Sequence, residues 1–223
     1  MNRTISLLTA LLVYSLGYGQ GHASHYNVGI FAGTTHTFDD VSSEFQAEAF
    51  LKEARPQIGF HGDYYFNPHI GLGAGFSFAQ FHGDDANYGA NRGLSYNTYA
   101  ALFDFRATLN ILPWGRFHYY TKWTTYVFIG GGVGAFNSTI SLPPSTDIVN
   151  VEGQTTTKAT ISIGGGFKHR VSYNNYLSIE GIISQVPDDT LEGFTTNNTQ
   201  YPDYYFGFRF VFGWMNALKP GTF

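Results

Sequence analysis

Three groups of residues in this chain have types that could do chemistry. The first is a set of eight histidines. His22, His25 and His36 fall near the start, and no His-x-His or His-x-x-x-His pair sits on a recognisable strand. Three ligands converging on one metal ion therefore cannot be built from the spacing. The second group is glycine-rich. Gly130-Gly131-Gly132 with Gly134, and Gly164-Gly165-Gly166, look at first like phosphate-cradling loops. Neither is followed by the Lys-Ser/Thr pair or the helix that such a loop needs. The third is His169, Ser172 and Glu180, the nearest approach to a hydrolase set, which requires a nucleophile, a base and an orienting carboxylate. By strand alternation His169 and Glu180 point to opposite faces, so they cannot act together. No catalytic residue, cofactor, metal site or small-molecule substrate is expected.

Composition narrows the class further. Only 13% of residues are charged, while 18% are aromatic, with 21 Phe, 16 Tyr and 27 Gly. The mean hydropathy is nevertheless −0.14, too low for a helical membrane protein. There is no cysteine, hence no disulfide framework and no thiolate chemistry. A net charge of −4 opposes nucleic-acid binding, which wants a basic face. At the N-terminus, Asn2-Arg3, an apolar run over 5–16 and the small residues of Gly17-Tyr18-Gly19 predict a signal peptide over 1–19, cut before Gln20. The apolar run is too short to span a bilayer, which takes about 20 residues.

The elements that must position any functional side chain read as strands. In 70–78, Ile70, Leu72, Ala74, Phe76 and Phe78 alternate with Gly71, Gly73, Gly75 and Ser77. In the run before it, Ile58, Phe60, Tyr64 and Phe66 oppose Gln57, Gly59, His61 and Asp63, and Asn67-Pro68-His69 makes the turn between. The same period of two recurs over 99–111, 159–171, 176–186 and 204–214, more loosely over 26–34, and over a Gly-rich stretch, 125–137, whose faces the pattern does not assign. This predicts an all-β fold, an eight-stranded antiparallel transmembrane β-barrel over 20–215 with short periplasmic turns and long outer loops. The short turns are 67–69 and 172–175. The long connections lie near 38–55, 83–93, 138–156 and 187–202, and the first carries a short helical pattern over 44–53. The tail 216–223, with Lys219-Pro220-Gly221, is expected to leave the last strand and lie in the periplasm.

The charges fall where such a barrel needs them. Asp63, Asp104, Arg106, Lys168, Arg170, Glu180 and Arg209 all lie on the face opposite the apolar residues. Facing lipid near the midplane, each would cost about 2–4 kcal/mol. Facing a narrow lumen, they can pair and fill it. A soluble sandwich could use the same alternation, but Phe206-x-Phe208-x-Phe210-x-Phe212 is easier to lay against acyl chains than to fold into one core. One link departs from the short-turn rule. Residues 113–122 are long, aromatic and basic. Trp114, Arg116, Tyr119 and Tyr120 are candidates for contact with a periplasmic partner, or form an interfacial girdle.

Several stretches resemble the PorG family of outer-membrane barrels. Arg55-Pro56-Gln57-Ile58-Gly59 leads into Tyr64-Tyr65-Phe66-Asn67-Pro68 as in that family's second strand, and the run from Gly75 through Phe81-His82-Gly83-Asp84-Asp85 resembles its third. Leu109-Asn110-Ile111-Leu112-Pro113-Trp114-Gly115, Tyr126-Val127-Phe128-Ile129-Gly130-Gly131-Gly132-Val133-Gly134 and Asp203-Tyr204-Tyr205-Phe206 resemble later elements in the same order. Where an Arg is expected early in the third strand, this chain has Gly71-Leu72-Gly73. The resemblance implies a non-enzymatic component of the Bacteroidota type IX secretion and gliding machinery, sitting in the outer membrane among lipids. Its implied partners are a secretion-ring lipoprotein and a periplasmic ring protein. The alternative is a generic small outer-membrane barrel acting in adhesion or envelope integrity through its outer loops.

Overall fold

The computed structural model describes residues 24–38, 51–88, 93–141, 149–150, 155–187, 194–195 and 203–217. The signal-peptide and most of the 44–53 helix expectation lie outside the described residues; Leu51–Glu53 form one helical turn. Among the described residues, ten strands run in chain order: β1 His25–Phe38, β2 Arg55–Tyr65, β3 Ile70–Asp84, β4 Ser95–Asn110, β5 Trp123–Ser141, β6 Val149–Asn150, β7 Thr155–Arg170, β8 Asn175–Val186, β9 Phe194–Thr195 and β10 Asp203–Ala217. Eight of them close an all-antiparallel barrel in the order β1-β10-β8-β7-β5-β4-β3-β2. The two-residue strands β6 and β9 pair with each other and tie two of the long connections together.

Closure fixes the barrel's size. Steps between paired positions lead from His25 through Tyr65, Gly71, Thr108, Phe128, Gly164, Ile182 and Gly207 back to β1 at Thr35, ten residues further along. With strands roughly 4.8 Å apart and a rise of roughly 3.3 Å per residue, that offset tilts the strands by about 40° and makes the backbone ring about 16 Å across. Such an interior has room for side chains and little else.

The outer wall is apolar where the strands pass through the middle of the barrel. Ile58, Phe60, Leu72, Phe78, Phe105, Ile129, Ile161, Ile163, Ile179, Phe208 and Phe210 are all exposed there. Tyr26, Trp123 and Trp214 ring the short-turn end of this band, and Tyr99 and Tyr204 mark its other edge, as the aromatic girdles of a membrane barrel do. The Gly-rich segment now has faces: Thr125, Val127, Ile129 and Val133 point out, and Tyr126 and Phe128 point in.

Beyond the band the strands reverse their polarity. Near the long loops, Ala79, Phe81, Leu94, Tyr96, Ala100, Leu102, Phe136, Ile140, Val186 and Tyr205 pack inside as one apolar cluster. Outward from the same strands stand Asn97, Asn137, Thr139, Ser141, Thr155 and Thr157. This part is built as a water-soluble barrel is, apolar inside and polar outside. It explains why 138–156 is not wholly a loop: β5 continues to Ser141 and β7 begins at Thr155, in an alternation of the opposite sign. The last strand also corrects an expectation. Asn216 and Ala217 remain in β10, opposite Tyr26 and His25; residues 218–223 lie outside the described residues.

The reversal is testable on one face of β7. Ile163→Lys, in the apolar band, is expected to destabilise the barrel by about 2–4 kcal/mol in denaturant unfolding from lipid vesicles. Thr157→Lys, outward on the same strand but above the band, is expected to cost under about 1 kcal/mol.

Candidate functional site

The interior is filled in three tiers. The apolar cluster occupies the long-loop end. Below it, a charged network crosses the lumen. Arg106 on β4 donates from Nε and Nη2 to the two carboxylate oxygens of Asp63 on β2, at 2.9 and 2.8 Å. Its Nη1 donates to Glu180 Oε2 on β8 at 3.2 Å. Arg209 on β10 donates to Glu180 Oε1 at 3.2 Å and to Gln57 Oε1 at 3.1 Å. The Tyr126 hydroxyl gives Glu180 a further donor at 2.9 Å. Asp63, Arg106, Glu180 and Arg209 are all buried, so the bidentate geometry and the extra donors are what offset their desolvation. Glycine makes the room: a side chain at Gly73 would collide with the Asp63 carboxylate, and one at Gly75 with that of Asp104.

Lys168 on β7 lies on the short-turn side of these pairs. It donates to the Tyr65 hydroxyl at 3.0 Å and to Asn110 Oδ1 at 3.3 Å. Its ammonium stands 4.1 Å from the Tyr126 ring centroid and within reach of the Tyr65 and Tyr176 rings. Asp104 also faces inward, half-buried, between Gly75 and Gly132 of the neighbouring strands. Three cations, Arg106, Lys168 and Arg209, thus share the lumen with three carboxylates, Asp63, Asp104 and Glu180, and these charges balance.

The third tier is a plug, and it changes the roles of two residues. Trp114, expected in an interfacial girdle or at a partner contact, is fully buried. The long link folds back under the barrel: the Trp114 amide donates to Pro68 O at 3.0 Å, and its indole meets Tyr176 edge to face at 6.1 Å. Met215 completes the cluster. Gly115 makes the reversal at φ +136°, a conformation open to glycine, in a place where any side chain would strike the His25 ring. Arg170, expected in the lumen with the other charges, sits at the rim and staples the plug instead. Its guanidinium lies 4.9 Å from the Trp114 ring centroid and donates to the carbonyls of Gly115 (2.8 Å), Thr121 (3.2 Å) and Tyr173 (3.1 Å). The other members of the link remain outside. Tyr120 is 82% exposed and Tyr119 49%, their rings 4.0 Å apart, and Arg116 stacks on Tyr173 at 5.2 Å.

The hydrolase set of the sequence is not brought together. His169 is exposed and Glu180 is buried on the other face of the sheet. Among the described residues, no group of three or more His, Asp or Glu side chains could hold a metal ion. No family model matches the chain, and no characterised protein matches it in sequence. Solved structures do match. A major outer membrane protein from Thermus thermophilus aligns at 10% identity with a TM-score of 0.52, over 87% of this chain and 100% of that one. Ail, the attachment invasion locus protein of Yersinia pestis, aligns at 12% identity and a TM-score of 0.48, over 87% and 99% of the two chains. OprG from Pseudomonas aeruginosa aligns at 10% identity and 0.46, over 89% and 99%. The fold is that of a small outer-membrane β-barrel.

Along the sequence, the remaining charge is divided between the two sets of connections. The short-turn connections 66–69, 111–122 and 171–174 contain no carboxylate, but carry Arg116 and Lys122 beside the rim residue Arg170. The long connections and the strand ends that meet them contain thirteen carboxylates (Asp39, Asp40, Glu44, Glu48, Glu53, Asp84, Asp85, Asp147, Glu152, Asp188, Asp189, Glu192 and Asp203) against Lys52, Arg55, Arg92 and Lys158. Glu53, itself buried, accepts from the Asp84 amide (3.0 Å), Asn87 (3.1 Å) and the Tyr88 hydroxyl (2.6 Å), pinning one long connection onto the next.

The network sets a clear expectation for mutation. Arg106→Met leaves Asp63 buried without its ion-pair partner and is expected to cost about 3–5 kcal/mol in vesicle unfolding. Adding Asp63→Leu to that variant is expected to recover most of the loss, since Glu180 keeps Arg209 and Tyr126.

Proposed function

We propose that the protein is an exported, non-enzymatic outer-membrane barrel that serves as a structural component of the type IX secretion and gliding machinery. In this reading residues 1–19 direct export, the short-turn end faces the periplasm, and the barrel is held by membrane lipids while it associates with the secretion-ring lipoprotein and its periplasmic ring protein. The observation that carries the reading is the 111–122 link. A small barrel closes its short-turn end with tight turns. Here that end has a built platform instead, anchored from within by Trp114 and Arg170 and presenting Arg116, Tyr119 and Tyr120 outward without a neighbouring carboxylate. Tyr and Arg are the residue types that dominate protein interfaces. The ordered stretches that resemble PorG supply the identity of the partner.

A filled lumen argues against a diffusion pore, because ions would have to displace the Asp63–Arg106–Glu180–Arg209 network and the Trp114 plug. A second reading, adhesion or envelope integrity through the outer loops, is favoured by one feature: thirteen carboxylates gathered in the long connections and adjoining strand ends. A partner there would be cationic.

The two readings separate in one experiment. Gently crosslinked outer membranes carrying a tagged protein are purified by affinity, and co-purifying proteins are identified by mass spectrometry. The secretion-machine reading expects the ring lipoprotein and its periplasmic partner in near-stoichiometric amounts. A variant carrying Arg116→Gln, Tyr119→Ala and Tyr120→Ala is expected to recover them roughly tenfold less, the loss that about 1.4 kcal/mol of interface energy gives, while still folding as a barrel. Recovery of the barrel alone from the unaltered protein would overturn the reading.

A further inference from the structure

The lipid-facing wall is not uniform. Outward positions of β8 are aliphatic or glycine: Leu177, Ile179, Gly181 and Ile183. The strands on either side carry larger rings, Phe167 on β7 and Phe208, Phe210 and Phe212 on β10. The result is a trough whose floor is β8, walled by the β10 phenylalanines on one side and by Phe167 and Ile163 of β7 on the other. Its lower stretch, about 370 Å³, is bounded by Phe167, His169, Leu177, Ile179, Phe210 and Phe212. Its upper stretch, about 450 Å³, continues over Gly165 and Gly181 between Ile163 and Phe208.

Two observations say that the trough has a use. The floor is lowered at Gly181, and no packing demands a glycine there: a Cβ at that position would meet nothing within 4 Å. Glycine within a strand gives up side-chain packing and costs conformational entropy, so the depth is gained at the expense of local stability. The trough is also polarised at its foot. His169 lines it there. Lys122, exposed just before β5, lies across β7 from the trough, beside the Trp123 that pairs with His169, and its carbonyl accepts the Arg170 amide at 2.7 Å. None of the three short-turn connections contributes a carboxylate to oppose an anion.

We infer that the β8 trough is a binding site for an anionic phospholipid, its acyl chain lying along Leu177, Ile179 and Gly181 and its phosphate held at the rim by Lys122 and His169. The occupant is a lipid and not a protein because the trough lies within the apolar band, continuous with the bilayer-facing surface, where acyl chains are the surrounding medium. Anionic character follows from charge: a basic rim without acids attracts a phosphate headgroup. The inference is independent of the secretion-machine reading, which concerns Arg116, Tyr119 and Tyr120.

The test is native mass spectrometry of the whole barrel, released from detergent in the presence of equimolar phosphatidylglycerol and phosphatidylcholine with matched acyl chains. Phosphatidylglycerol adducts are expected to exceed phosphatidylcholine adducts about fivefold, the factor one basic residue near an anionic surface supplies. Lys122→Gln with His169→Gln is expected to erase the preference while leaving binding of both lipids. Gly181→Phe, which fills the floor, is expected to lower adducts of both. Barrel closure of each variant is verified by its shifted migration on unheated gels. Equal binding of the two lipids by the unaltered protein, a preference that survives the double substitution, or Gly181→Phe adducts at the original level would each overturn the site. Loss of ring proteins from the crosslinked pull-down by the Lys122, His169 variant, without change in lipid preference, would assign the rim to a protein and overturn it equally.

Discussion

Arg106 is the hinge of the interior. Its guanidinium commits two nitrogens to Asp63 and the third to Glu180, and Glu180 passes the connection to Arg209. Four strands, β2, β4, β8 and β10, are thereby joined across the lumen as well as around it. The arrangement follows from the ring's size. Eight strands offset by ten residues leave a space that side chains fill well, so the fully buried charges Asp63, Arg106, Glu180 and Arg209 find their partners in the protein. The glycines at positions 73 and 75 are the counterpart of that demand, because the carboxylates of Asp63 and Asp104 lie where their side chains would have been.

The tiers above and below flank this cross-linked middle layer. Over it, the strands pass out of hydrocarbon and exchange their faces, with Phe81, Tyr96, Phe136 and Tyr205 turning inward as Asn97, Asn137 and Thr139 turn outward. Under it, Lys168 among three phenol rings is the last charge before the Trp114 plug. Beyond the three lumen carboxylates, the acids fall in the long connections and the strand ends that meet them, while the short-turn connections carry bases and no acid. A chain of modest net charge thus has two chemically different ends and a balanced centre.

The alternation of Ile70 to Phe78 or of Phe206 to Phe212 made the strands legible, since a period of two needs no knowledge of neighbours. The same parity placed Asp63, Arg106 and Glu180 on one face, although which of them would touch depended on register, and register is set by closure. Other features were hidden for physical reasons. Trp114 reads as an exposed interfacial aromatic until Gly115 reverses the chain and carries it under the barrel. Arg170 shares the parity of Lys168, but it lies at the strand end, where carbonyls of a neighbouring turn are closer than any carboxylate. The 125–137 segment has too few side chains to show a face, and the polarity reversal defeats any reading that assumes one solvent outside. The inward turn of Ile140 could have been seen, since Asn137 and Thr139 alternate with it in a segment that looked like loop.

The seam between the first and last strands carries a consequence for how the molecule is made. All other neighbours in the ring follow one another along the chain, so each hairpin can form as soon as its second strand is available. β1 and β10 meet along their full lengths, from His25 opposite Ala217 to Phe38 opposite Tyr204, across nearly the whole sequence. That pairing has the largest loop to close. Until it forms, two long strand edges stand open, and hydrocarbon offers their amides and carbonyls nothing to bond. The β1–β10 pairing is therefore the step that commits the chain: before it the sheet has two open edges, and after it the ring has none.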